Sequence, residues 1–363
     1  MKRVLFLTNI PAPYRVEFFN QLGQHVDLHV VFEARYAKNI QFRFDETKKY
    51  NFNYYFLFDQ DIKEKRIKFK VIKYLNKSWD EIFITNYAYF TEMFALIYLK
   101  IKRVPYVLEL DGHTESKENF LKFYFKRFLI KGAKNYFSSS QSTDQYLMKY
   151  GVSLEKIIRY PFTSVLEQDV IPKPLTSNEK SKLKIELKLE DKFTVLMVAR
   201  LIPIKGIDIF FKVAKELKDF QFVFVGGQPD QIMIDNYGLN DINNLKFVDN
   251  IPKHELIKYY QASDVFFFPT QKESWGLVIN EAMSQGLPIV STTECKSAVE
   301  LLGLNNPEFI FQPKDWIGMR NKIKELILNN NKREKLVKNT LSTIKNSTIE
   351  NMVLYHLDSL YIN

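Results

Sequence analysis

Cysteine is almost absent: Cys295 stands alone among 363 residues. That excludes an internal disulfide and a multi-thiolate metal site. Nothing near it reads as a base, so it is expected to be a small core residue rather than a nucleophile. Histidine is nearly as scarce, and His25, His29, His113, His254 and His356 are scattered. His25 and His29 have helical spacing, but they sit in HVDLHVVF, which alternates like a strand, so no zinc site is expected. No apolar run reaches the ~18 residues that a membrane span needs. Met1–Thr8 has a basic pair and a short apolar run, yet Asn9, Pro11, Pro13 and Arg15 follow with no small-residue cleavage site. A first β-strand and a cytoplasmic protein are the expectation, not a signal peptide. Gly226-Gly227 lacks the third glycine of a dinucleotide fingerprint, which weakens a nicotinamide reading. Arginine-rich and Gly-Phe-Gly nucleic-acid motifs are missing, as is a pyridoxal phosphate lysine motif.

What is present is a globular composition, 46% hydrophobic and 26% charged, long enough for two domains. The formal charge of +10 fits nucleic acid, an anionic membrane surface or an anionic small substrate, and does not choose among them. Short β-rich runs alternate with helix-length segments. Val4–Thr8, Asp27–Phe32, Asn53–Phe58, Glu81–Thr85, Tyr106–Leu110 and Asn135–Ser139 read as strands. The alternation pauses at a proline-bearing, lysine-rich stretch. It restarts with Thr194–Arg200, Gln221–Gly227, Asn244–Val248, Asp264–Thr270, Pro288–Thr293 and Phe309–Phe311. The pattern predicts an α/β fold of two Rossmann-like doubly wound domains. The expected divisions are 1–165, a linker at 166–190, and 191–345. Ligands of such sheets bind beyond the carboxyl ends of strands, and a cleft between domains is the default active site.

The strongest motif runs from Glu273-Ser-Trp-Gly276 through Glu281-Ala-Met to Gly286-Leu-Pro288. It places a loop at the end of a buried strand, then a helix that Gly276 opens and Gly286 closes. The helix start offers free N–H groups to an anion. One carboxylate can hold sugar hydroxyls and the other ribose hydroxyls of an extended donor. An isolated Glu-x7-Glu would instead be a capping residue and an exposed helix residue. Arg200-Leu-Ile-Pro-Ile-Lys205-Gly206 follows the first strand of the second half. Arg grips a diphosphate through two N–H groups and Lys as a point charge, which suits a leaving group that gains negative charge. At Gly226-Gly227, close approach to a ligand and a plain strand-end turn are equally open.

This text resembles glycosyltransferase family 4, the glycosyl transferases group 1, specifically over about 199–300 and weakly over 1–160. The resemblance implies the GT-B fold, with the two domains facing across a cleft. It implies a C-terminal helix, 346–363, that packs back on the first domain. It implies a retaining, metal-independent transferase that moves a hexose or N-acetylhexosamine from a nucleotide diphosphate sugar, with UDP expected and no cofactor. The implied acceptor is a glycan or polyprenyl-diphosphate-linked oligosaccharide in cell-surface polysaccharide assembly. Arg200 and Lys205 would face the diphosphate. Glu281 would hold the ribose and Glu273 the sugar. Ser274, Trp275, Gly276 and Leu277 would shape the pocket, and Asn250, Ile251 and Gly226 would lie on the nucleobase side. The family's usual glycine beside Asn250 is replaced here.

In the first half, Pro11 and Pro13 stand where many family members have two glycines, a stiffer loop. Pro13, Tyr14, Arg15 and Asp111 are the candidate acceptor ligands; a helix start explains Tyr14 and Arg15 equally well. The resemblance implies that His113 can donate a hydrogen bond in the transition state. Attack on the same face as departure, with the leaving phosphate as proton acceptor, needs no nucleophile, so Glu273, His113, Arg200 and Lys205 are the catalytic candidates. Asp59-Gln-Asp61 looks like a metal-binding Asp-x-Asp, but the rest of the chain argues against metal. An inactive donor-binding partner of another transferase is the competing reading; the retained Arg200, Lys205, Glu273 and Glu281 argue against it. Finally, 117–136 mixes Phe120, Leu121, Tyr124, Phe125 and Phe128 with Lys117, Lys122, Lys126, Arg127, Lys131 and Lys134. A helix in the inner-membrane interface and a crossover helix with a core stripe fit equally.

Overall fold

The computed structural model describes residues 1–36, 44–61, 66–113, 118–303 and 306–361, and not the side chains of 59–61. Asp59 and Asp61 fall in a strand by backbone, and their side chains lie outside the described residues, as does Lys117. The chain divides into two compact units, Met1–Ser164 with Ile349–Asn363, and Val165–Thr348.

The first unit holds seven strands: β1 (Arg3–Thr8), β2 (Asp27–Tyr36), β3 (Asn53–Asp61), β4 (Glu81–Ile84), β5 (Val107–Leu110), β6 (Tyr136–Ser138) and β7 (Ile157–Arg159). Their spatial order is 3-2-1-4-5-6-7, all parallel. β1, β4 and β5 are apolar along nearly their whole length, as strands covered on both faces must be. β7 was not foreseen. It has three residues at the sheet edge, two half-buried and Arg159 exposed, too few for a period to register.

The second unit holds β8 (Thr194–Val198), β9 (Gln221–Val225), β10 (Leu245–Val248), β11 (Val265–Phe268), β12 (Ile289–Thr292) and β13 (Ile310–Phe311). Their order is 10-9-8-11-12-13, again parallel. Both sheets therefore reverse direction once, between β1 and β4 and between β8 and β11. Loops leaving the carboxyl ends of such a pair diverge and open a crevice for ligand.

The expected linker, 166–190, is part of the second unit. Its Ser177–Glu186 helix starts in a capping box, Thr176 with Glu179. Lys180 and Lys184 then converge on Asp264, just ahead of β11, at 2.9 and 3.3 Å. These two lysines of the lysine-rich stretch are ion-paired and hold the segment to the second unit. The C-terminal helix Ile349–Ser359 packs on the helix Pro13–Leu22 in the first unit. Among the described residues, no helix is long and apolar enough to cross a membrane.

Candidate active site

The β8 and β11 loops of the second unit are stitched together at the switch point. Gln271 N donates to the Ile204 carbonyl at 2.9 Å, and Thr270 Oγ1 reaches the same oxygen. Gly206 ends the short turn Pro203–Lys205 with φ +75°, a left-handed backbone that favours glycine. A Cβ there would lie 1.9 Å from the Pro269 carbonyl oxygen. The turn thus presses on the end of β11, and Lys205 Nζ forms an ion pair with Glu273 Oε2. Their side chains are 13% and 17% exposed, so water screens the pair little. The same ammonium lies 5.9 Å above the Phe268 ring. Arg200, at the start of this loop, is exposed.

The loop from Glu273 to the helix Leu277–Ser284 is fixed from behind. Trp275 is buried and its Nε1 donates to Asn280 Oδ1 at 3.0 Å. Ser297 Oγ lies 2.8 Å from the Trp275 carbonyl and 2.9 Å from that of Gly276, and Ser297 N also donates to Trp275. Gly276 has φ +102°, with Cys295 Sγ, Glu273 Cγ and Ser297 Oγ 3.0–3.2 Å from where a Cβ would sit. Cys295 is fully buried, and burial pushes its thiol up to about 11, a core residue as expected. Ser274 is exposed, and Leu277 begins the helix. On that helix Glu281 accepts a hydrogen bond from Tyr260 Oη at 3.1 Å, and burial drives the Tyr260 phenol well above its ordinary value.

Gly226 N and Gly227 N both donate to Val248 O, which sets the β9 turn beside Asn250 and Ile251 after β10. A Cβ at Gly226 would meet the Ala199 carbonyl at 1.9 Å, so its own chain already demands glycine. Asn250 is exposed, and Ile251 packs on the core.

In the first unit Pro13, Tyr14, Arg15 and Asp111 do converge, at the ends of β1 and β5. Arg15, however, is not a free cation. It is 2% exposed, with Nη1 2.6 Å from Glu109 Oε1 and Nη2 paired to Asp111. The expectation that Arg15 meets a sugar or a lipid phosphate is corrected: its guanidinium is consumed internally. Tyr14 Oη lies 3.4 Å from Asp111 Oδ2, and Pro13 is exposed at the first helical turn. His113 is buried, stacked on Tyr146 at 4.5 Å, with Nδ1 3.4 Å from Thr143 Oγ1.

Sequence reasoning missed Asn280, Ser297, Tyr260 and Glu109. Each is a partner of a foreseen residue rather than its neighbour in sequence, except Asn280, which hides inside the helix motif.

The helix Phe120–Ile130 turns Phe120, Leu121, Tyr124, Phe125 and Phe128 outward, while only Leu129 and Ile130 are fully buried. The crossover helix with a core stripe is therefore not what these five residues form.

Residues 178–343 match the family model described as glycosyl transferases group 1. Among curated proteins the chain is 24% identical over 287 residues to N,N'-diacetylbacillosaminyl-diphospho-undecaprenol alpha-1,3-N-acetylgalactosaminyltransferase of Campylobacter jejuni, covering 74% of this chain and 73% of that one. It is 26% identical over 221 residues to alpha-monoglucosyldiacylglycerol synthase of Acholeplasma laidlawii, about half of each chain at 54%. Among solved structures, Anabaena HepE in complex with UDP superposes with a TM-score of 0.76 at 17% identity, covering 99% of both chains. The two doubly wound sheets, the switch-point loops and the structural match agree on a GT-B fold, and residues 178–343 are similar to the glycosyl transferases group 1.

Proposed function

We propose that the chain transfers a hexose or N-acetylhexosamine, with retention and without metal, from a nucleotide diphosphate sugar, UDP being the expected carrier. The acceptor is a glycan or a lipid-linked oligosaccharide in surface polysaccharide assembly. The observation that carries this reading is the Lys205–Glu273 pair at the β8/β11 switch point, with exposed Arg200 in the same loop. A diphosphate entering there competes for the Lys205 ammonium and meets the Arg200 fork. Glu273, released from Lys205, accepts from sugar hydroxyls, and Glu281, oriented by Tyr260, accepts from the ribose. As the glycosidic bond breaks, charge grows on the diphosphate, and the two cations stabilise it. The solved neighbour's complex with UDP and the curated relatives' diphospho-undecaprenol and diacylglycerol names support the substrate classes.

The outward stripe of Phe120, Leu121, Tyr124, Phe125 and Phe128, with exposed Lys122, Lys131 and Lys134 nearby, supports peripheral attachment to an anionic membrane surface. Product stereochemistry tests the reaction. A released or transferred sugar with the donor's anomeric configuration, formed equally in the presence of chelator, is expected. Inversion, or loss of turnover on chelation, contradicts it; binding of donor without turnover makes the chain a donor-binding partner instead.

A further inference from the structure

The first unit contains a charge chain that runs from the C-terminal helix to the surface. His356 is 1% exposed. Its Nδ1 lies 2.8 Å from the Met352 carbonyl and its Nε2 3.1 Å from Glu109 Oε2. The carbonyl can only accept, and so can an ionised carboxylate, so a ring carrying a proton on both nitrogens would satisfy both contacts. Aromatic rings surround it: Phe137 at 4.5 Å, Phe18 at 4.7 Å, Tyr160 at 5.4 Å, Phe83 at 5.5 Å and Phe6 at 6.1 Å.

Glu109, fully buried, carries the chain onward. Its Oε1 accepts from Arg15 at 2.6 Å, and Tyr160 Oη stands 3.1 Å from it. Arg15 then pairs with Asp111, whose Oδ1 also lies 2.9 Å from Tyr160 Oη. With His356 protonated, it and Arg15 would balance the two carboxylates, Glu109 and Asp111. Burial alone would raise the Glu109 carboxyl, but Arg15 and His356 outweigh it and hold it near 2. Asp111 is the member that reaches the surface, with its side chain 29% exposed. Among the described residues its Oδ2 has only the 3.4 Å contact with Tyr14, which leaves a lone pair for an incoming hydroxyl. The other carboxylate whose field it feels is Glu92, at the start of the helix Phe90–Lys102.

We propose that His356 is a positioning residue: through Glu109 and Arg15 it holds Asp111 in place to accept the attacking hydroxyl of a sugar acceptor, or of water in its absence. The proposal rests on the transfer reaction proposed above. Without the His356 charge the cluster carries one uncompensated negative charge, and Arg15 is drawn toward Glu109 and away from Asp111. The C-terminal helix is thereby part of the acceptor side and not only a brace.

The test uses the full chain and a nucleotide sugar that the wild type hydrolyses. His356→Phe fills the ring's volume without a ring nitrogen, and Asp111→Ala removes the proposed acceptor of the hydroxyl. Both are expected to lower kcat by roughly tenfold or more with donor KM unchanged, because only attack is misplaced. His356→Phe combined with Glu109→Gln restores neutrality and is expected to recover most of the loss. A folded His356→Phe with wild-type kcat, or a double variant no better than the single one, overturns the proposal. If His356→Phe does not fold, His356→Gln, neutral but still a donor, is measured in the same way with the same expectation. If the wild type hydrolyses no nucleotide sugar, the proposed function fails first. In that case nitrogen NMR of the histidine-labelled chain still decides the charge chain: both His356 nitrogens protonated at pH 7.5 support it, and a single neutral tautomer overturns it.

Discussion

Gly206 shows how one residue's backbone constrains a site. Its φ of +75° and the Pro269 carbonyl, 1.9 Å from a built Cβ, leave no room for a side chain. Gly206→Ala is expected to cost about 1–3 kcal/mol from the dihedral angle alone, with more from the clash, and to weaken donor binding by displacing Lys205. Gly238, with φ +56°, faces the ends of two side chains, Lys215 Nζ at 3.1 Å and Asp241 Oδ2 at 3.6 Å, so Gly238→Ala is the milder control. Chemical denaturation of the two variants checks the order. Glu33 offers a second prediction. It is fully buried on β2, and burial, only partly offset by the Thr91 side chain, raises it from 4.5 to about 7. A carboxyl raised on folding favours the folded state fully below pH 4.5, and this contribution is lost as pH rises through about 7. Glu33→Gln is therefore expected to flatten stability across that window and to raise the melting temperature at pH 8. Lys205, Glu273 and Glu281 were legible as residues because their motifs are local. Arg15 was legible only by name, since its partners lie 94 and 96 positions away and nothing near it in sequence announces a buried ion network.

At the scale of elements, twelve of the thirteen strands among the described residues were visible as largely apolar runs, because a parallel strand covered on both faces buries most of its side chains. β7 was not, and neither was the helix Ser177–Glu186, whose partner, Asp264, sits about eighty residues further on. The periodicity of Phe120–Ile130 could not say which side faces inward, since a core stripe and a membrane stripe share one spacing. Its exposed aromatics give a direct expectation. The triple variant Phe120→Ser, Leu121→Ser, Phe125→Ser should lose most of its co-sedimentation with phosphatidylglycerol vesicles while keeping its melting temperature. Wild-type protein should release from those vesicles as salt rises and bind phosphatidylcholine vesicles weakly. Equal binding by wild type and triple variant would contradict the attachment proposed for this helix.

At the scale of the molecule, the chain leaves its first unit after Ser164 and returns to it at Ile349. The returning helix buries Ile349, Met352, Val353 and His356 among the first unit's side chains. Truncation after Thr348 should therefore lower the first unit's thermal transition sharply and leave the second unit's nearly unchanged, as scanning calorimetry would show. The sequence carried the two-unit plan through its paused alternation, but the connection's boundaries depended on ion pairs that only the folded chain reveals.

The account's central claim is that the β8/β11 crevice binds the diphosphate of a nucleotide sugar. The most direct test is a thermal-shift screen of the purified chain against common nucleotide sugars with chelator present, beside Arg200→Ala and Lys205→Ala. One nucleotide sugar raising the melting temperature of the wild type, with the shift lost in both variants, is the predicted result. No shift with any nucleotide sugar, or a shift that both variants retain, would contradict it.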